Sequence, residues 1–96
     1  MLILITYDVD TTTKAGEKRL RKVAKECVNY GQRVQNSVFE CVLTEAQFTI
    51  LRKNITMIID QELDSVRFYF LGNNWNNRVE CIGKKTSFDM TAELII

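Results

Sequence analysis

Met1-Leu2-Ile3-Leu4-Ile5-Thr6-Tyr7, closed by Asp8-Val9-Asp10, is the stretch that decides the fold. Its seven uncharged residues are too few for a stable helix and read as a strand. Apolar side chains stand at odd and even positions alike, which predicts a central strand covered on both faces. The run is far too short to span a bilayer. It has no basic flank and ends at an aspartate, so no secretory signal is expected.

Outward from this strand, Thr11-Thr12-Thr13 opens a polar loop. Leu20, Val23, Ala24, Cys27 and Val28 then recur at the spacing of one buried helical face. Lys14, Lys18, Arg21, Lys22 and Lys25 fall largely on the opposite side. The helix is expected to begin between Thr13 and Glu17, and Gly31 to stop it in a left-handed conformation. Gln32 to Leu43, carrying Val34, Val38, Phe39 and Val42, predicts two short strands joined by a bend at Asn36-Ser37. Thr44-Glu45-Ala46-Gln47 has the form of a capping box. Phe48, Leu51, Ile55, Ile58 and Ile59 supply the apolar face of a second helix. Asp60 to Asp64 reads as an acidic connection and Val66 to Leu71 as an alternating strand. Gly72 to Asn77 is a turn-rich loop, and Arg78 to Ile82 a further strand stopped at Gly83.

The order β, α, ββ, α, β predicts an α+β, ferredoxin-like βαββαβ sandwich with an additional C-terminal strand. That added strand has no place in the minimal unit and is expected to extend a partner's sheet, making a homodimer. The 96 residues support one domain, 1–96, with a tail from about residue 84.

Composition narrows the chemistry. Histidine is absent, which removes imidazole bases, nucleophiles and ligands, and with them Ser-His and Cys-His hydrolases. What remains for hydrolysis is carboxylate-held magnesium or manganese chemistry, or assistance from Lys, Arg or Tyr. Cys27, Cys41 and Cys81 are odd in number and widely spaced; they read as buried hydrophobes of a reducing cytoplasm, not as a disulfide or zinc framework. The formal charge is +1 but unevenly placed. Residues 1–36 carry seven Lys/Arg against four Asp/Glu, a balance of +3, and residues 37–96 carry six against eight, a balance of −2. Between Lys14 and Lys25 six bases meet one acid, Glu17, a patch able to contact successive phosphates.

Asp8 is the first candidate for chemistry. A carboxylate at the end of a packed strand is held rigidly, and two copies across a two-fold axis would make a better magnesium site than one. Capping a turn is its alternative role. Asp10 is a second ligand or merely a loop acid. Tyr7 points to the opposite face from Asp8 and is expected in the core or an interface, with base stacking as the weaker alternative. Lys14, Lys18, Arg19, Arg21, Lys22 and Lys25 are candidate phosphate contacts, with Arg33 as an addition to the same surface. Ser37 is read as donating to a phosphate or bonding its own backbone, and Phe39 as core or interface before stacking platform. Trp75, in an Asn-rich loop, marks a contact or covers the sheet.

Taken together, Tyr7-Asp8 after the apolar strand, Arg19 to Lys25 on the first helix and Gly31-Gln32-Arg33-Val34-Gln35-Asn36-Ser37-Val38-Phe39-Glu40 resemble the CRISPR-associated protein 2 family. Arg67 to Leu71 and Val79 to Gly83 extend the likeness over nearly the whole chain. The resemblance implies a ferredoxin-like homodimer, metal-dependent endonuclease activity on RNA or DNA in some members, and a place beside the integrase subunit that inserts foreign DNA into a CRISPR array. It carries the family's metal aspartate to Asp8, its basic residues to Arg19, Arg21 and Arg33, and its Ser-Val-Phe segment to Ser37 and Phe39 in the catalytic region. Lys14 and Lys18 stand where the family often places arginine, and lysine cannot reproduce arginine's bidentate grip on phosphate. Two functions follow as expectations: a magnesium-dependent phosphodiesterase, with manganese as the alternative ion, or a non-catalytic DNA-binding adaptor between integrase subunits. A ferredoxin-like ligand sensor is disfavoured, because no Gly-rich ligand loop is visible.

Overall fold

The computed structural model describes residues 1–71 and 78–84. Trp75 and the residues after 84 therefore lie outside the described residues. The elements run β1 (Leu2–Asp8), α1 (Lys14–Val28), β2 (Gly31–Gln35), β3 (Val38–Val42), α2 (Glu45–Ile58), β4 (Ser65–Leu71) and β5 (Arg78–Gly83). The described strands form one antiparallel sheet in the order β2-β3-β1-β4-β5. β1 and β2 run parallel with β3 inserted between them, the split βαβ connection of a ferredoxin-like fold.

Local chemistry explains the boundaries. Thr13 caps α1 by accepting the Gly16 amide at 3.1 Å. At α2 the expected capping box is complete: Thr44 Oγ1 accepts from the Gln47 amide at 3.1 Å, and Gln47 Oε1 accepts from the Thr44 amide at 2.9 Å. The bend at Asn36-Ser37 joins β2 to β3 as expected. β2 begins at Gly31 itself, however, and the left-handed glycine among the described residues is Gly83, at φ 92°. α1 ends earlier, on Asn29.

Both helices cover one face of the sheet. Ile3, Ile5, Phe39, Val66 and Phe68 from the strands meet Val23 and Cys27 of α1 and Leu51 and Ile55 of α2, all completely buried. Phe48 meets the rings of Phe68 and Phe70 edge-on, with centroids 5.3 and 4.9 Å away. Asn54 Nδ2 of α2 donates to Glu26 Oε1 of α1 at 2.8 Å, and Arg52 of α2 reaches Glu80 of β5 at 3.3 Å.

Four expectations need correction. The apolar strand β1 is covered on one face: Ile3, Ile5 and Tyr7 are buried, whereas Leu2, Leu4 and Thr6 on the other face are only half-buried. A strand can be apolar on both sides and still have one layer of helices, because two helices cover only one face of the sheet. The additional strand β5 pairs with β4 of its own chain, antiparallel from Ser65↔Gly83 to Phe70↔Arg78. β4 is otherwise an open edge, and local pairing satisfies it without a partner. Val28 lies outside the helix seam and is exposed. Cys81, on the same side of the sheet as Arg67, is exposed rather than buried.

Candidate functional site

Asp8 ends β1 with its side chain on the face of the sheet that neither described helix covers. Strand alternation forces this: Tyr7 is buried toward the helices, so its neighbour points the other way. Across the rung, Asp8 pairs with Ser65 of β4, and Thr6 pairs with Arg67. Thr6, Tyr7, Asp8, Ser65 and Arg67 line a depression of about 200 Å³. One carboxylate, two hydroxyls and one guanidinium thus share a small open cup. Arg67 donates to Tyr69 Oη at 3.3 Å along the same face. The sequence reading singled out Asp8 but not Thr6, Ser65 or Arg67. Their proximity comes from the antiparallel register of strands nearly sixty residues apart, which no local pattern reports.

Among the described residues no three His, Cys, Asp or Glu side chains gather as a metal site. Asp8 alone offers at most two oxygens, whereas magnesium takes six, several of them from water. One protomer is therefore an incomplete cation site. A hard divalent ion at Asp8 would need its further oxygens from water, a phosphate or a second carboxylate.

Asp10 is not aimed into this cup. Its Oδ1 accepts from the backbone amide of Thr12 at 2.9 Å and from its hydroxyl at 2.7 Å, an Asx turn that holds its carboxyl below the usual carboxylate range. Asp10 thus shapes the loop, and its expected part as a second ligand gives way to that.

Just behind the cup lies a second acid that the sequence reading passed over. Asp64 is 0% exposed. Its Oδ1 accepts from the Asp10 amide at 3.0 Å and its Oδ2 from the Asp60 amide at 2.8 Å. Arg19 grips the same carboxylate, with Nε 2.8 Å from Oδ2 and Nη2 3.4 Å from Oδ1. Arg19 Nη2 also donates to the Asp10 carbonyl at 3.5 Å. Burial by itself would raise the pKa of Asp64; the hydrogen bonds from Arg19 and the two amides outweigh it and hold the group below its ordinary value. An acid within the run Asp60 to Asp64 looks like a solvated loop residue in sequence, so the only available signal was its place one residue before a buried strand.

The remaining bases are placed differently. Lys14, Lys18, Arg21, Lys22 and Lys25 are exposed along α1, whereas Arg19 is only partly so. Because α1 packs on the covered face, the five exposed bases stand on the opposite side of the sheet from the Asp8 carboxylate. They do not join it in one groove of the protomer. Arg33 lies over the Phe39 ring at 5.1 Å, and Phe39 stacks on Tyr7 with centroids 6.1 Å apart. Phe39 is completely buried in this stack and offers no surface to a substrate; its expected catalytic part gives way to packing. Tyr7 Oη donates to the Asn36 carbonyl at 3.2 Å, and burial lifts its phenol pKa. Ser37 stands in the turn before β3, where its carbonyl accepts the Tyr7 amide at 3.1 Å. No helix of the described residues is long and apolar enough to cross a membrane.

Fold and site define a ferredoxin-like α+β domain with a strand-end carboxylate, Asp8, displayed on the sheet face that the two helices leave open, where Glu40 of β3 is also exposed, and with a cationic helix on the other face. The sequence pattern of a family described as "CRISPR associated protein Cas2" matches residues 1–79, and the chain belongs to that family. It is 59% identical over 95 residues to the CRISPR-associated endonuclease Cas2 of Halalkalibacterium halodurans, covering 99% of each chain. It is 55% identical over 96 residues to the CRISPR-associated endoribonuclease Cas2 of Chlorobaculum tepidum, covering 100% of each. Among solved structures it resembles Streptococcus pyogenes Cas2 with TM-score 0.72 and 63% identity, over 78% of this chain and 90% of that one.

Proposed function

We propose that this protein is a magnesium-dependent endonuclease of CRISPR immunity that acts as a homodimer and takes part in spacer acquisition. The observation that carries the reading is the placement of Asp8: a strand-held carboxylate, exposed, on the sheet face that neither helix of the described residues covers. That face also presents Leu2, Leu4, Val42, Leu71 and Val79. Val42 is 76% exposed and Leu71 41%. Packing this face against a second copy buries side chains worth about 1.5–3 kcal/mol each and turns the two Asp8 carboxylates toward a common axis. Paired in this way they hold one divalent cation, with manganese as an alternative to magnesium. A cation bound there would supply Lewis acidity and acidify water for attack on phosphorus. Arg67 sits where it steadies the phosphate, and Ser65 and Thr6 offer hydrogen bonds to its oxygens. The names of the relatives cover both an endonuclease and an endoribonuclease, so RNA and DNA are both substrates to try.

The test is cleavage of labelled RNA and duplex DNA with and without magnesium by wild type and Asp8→Asn. Loss of about 100-fold or more is expected for the variant. Unchanged cleavage removes Asp8 from the mechanism.

A second reading is favoured by one specific observation. The exposed bases of α1 lie on the opposite layer from Asp8, so nucleic acid held by α1 need not touch the carboxylate. In this reading the dimer is an adaptor that bridges integrase subunits on DNA. Charge reversal at Arg21, Lys22 and Lys25 would then abolish spacer acquisition, whereas Asp8→Asn would not.

A further inference from the structure

Arg19 belongs by sequence to the cationic stretch of α1, but of its six bases it is the one turned inward. Its Nε and Nη2 donors both close on the buried carboxylate of Asp64. A guanidinium that commits this edge to a carboxylate cannot present the same edge to a phosphate. Asp64 in turn gathers backbone from three directions. It accepts the amides of Asp10 and Asp60 through its side chain and that of Lys84 through its carbonyl at 2.7 Å. Room for this junction is made by two glycines. A Cβ on Gly16 would stand 1.9 Å from the Asp10 carbonyl oxygen, so the first turn of α1 presses directly on the loop. A Cβ on Gly83 would stand 2.2 Å from the Asp64 carbonyl oxygen, on the β5 side.

We propose that Arg19 and Asp64 are a positioning pair that orients the Asp8 carboxylate, and that Arg19 is not a nucleic-acid contact. Asp10 is two residues beyond Asp8, and Ser65 is the residue after Asp64. The rung Asp8↔Ser65 is therefore tied on both sides to one carboxylate. A loop free to swing at Asp10 would let the end of β1 fray and turn the cup residues apart. The pair acts through the backbone and touches neither cation nor substrate. This inference rests on the proposed reading of Asp8 as the working carboxylate and of α1 as a phosphate-binding helix.

Two measurements test it. The first is the salt dependence of duplex DNA binding by wild type, Lys22→Gln and Arg19→Gln. Each phosphate contact adds about 0.9 to the slope of log affinity against log salt. Lys22→Gln should lower the slope by about that amount, and Arg19→Gln should leave it at the wild-type value. An equal loss of slope in both variants overturns the proposal. The second is amide hydrogen exchange in Arg19→Lys, which keeps the charge but not the two-pronged grip. Exchange at the Asp10 and Asp60 amides should quicken about tenfold while Ile3 and Ile5 stay protected. Unchanged exchange at Asp10 and Asp60 overturns the proposal, and this result stands even where Arg19→Gln fails to fold. Wild type that shows no salt-dependent binding would instead overturn the phosphate-binding reading of α1, leaving the exchange data to judge the pair.

Discussion

On the helix-covered face of the sheet, Ile3, Ile5, Phe39, Val66 and Phe68 are completely buried; on the other face of the same strands, Leu2, Leu4 and Thr6 are half-buried and Asp8 and Val42 are exposed. The two acids at the shared end repeat the contrast. Asp64 lies behind the sheet edge with every carboxylate oxygen engaged, and Asp8 lies in front with its carboxylate open to solvent. An acid enclosed by donors stabilises structure, and an acid left open at a rigid strand end is available for chemistry. The distinction is one of surroundings, since the side chains are identical.

The largest expected difference between the two acids is in stability. Asp64→Ala orphans the Asp10 and Asp60 amides and the Arg19 guanidinium, and should cost about 3 kcal/mol in urea unfolding. Asp8→Ala should stay within about 0.5 kcal/mol of wild type, as a surface change does. Equal losses would erase the contrast.

The open face comes next. Val42→Asp places a charge opposite Leu2 and adds to that of Glu40 on this face, and should weaken self-association by about 2–3 kcal/mol, seen as monomer in light scattering at micromolar protein. Folding stability should hardly move. A variant that remains dimeric would place the contact elsewhere.

A third test separates the acids by pH. The folded pKa of Asp64 lies below its unfolded value, so its contribution is fully present above about pH 4, the unfolded carboxylate range, and fades as pH falls through the folded value. Wild type should therefore lose stability on acidification more steeply than Asp64→Asn. Parallel profiles would contradict the hydrogen-bonding account of Asp64.

The smallest effect concerns thiols. Burial pushes Cys27 up to about 12 and Cys41 up to about 11, so neither forms thiolate at neutral pH. Alkylation of the native protein at pH 7.5 should spare Cys27 and Cys41, and both should react once urea unfolds the chain. Rapid modification of Cys27 would mean that the covered face opens more readily than its packing implies.

Much of this was legible in the chain. The strand at 1–7, the face Val23-Cys27 on α1, the capping box Thr44-Gln47 and the alternation of β4 are local patterns, and each appears within a residue or so of its expected place. That Asp8 ends the strand and points away from Tyr7 was equally readable, because alternation sets neighbours on opposite faces. The division of labour within the bases and acids was not. Arg19 and Asp64 are forty-five residues apart and meet only when α1 packs on the sheet, bringing Arg19 to the residue before β4. Phe39 was read as core or interface before stacking platform, and the choice of core rests on Tyr7 stacking on it and Arg33 lying over it.

Periodicity and turn chemistry act over a few residues, so the sequence by itself determined the elements, their order and the family likeness. Only the folded sheet decided which face of β1 stays open, that β5 returns to its own β4, and that one arginine in a basic helix turns inward. Those outcomes depend on register and layer coverage between distant segments, where burial and hydrogen-bond partners are assigned.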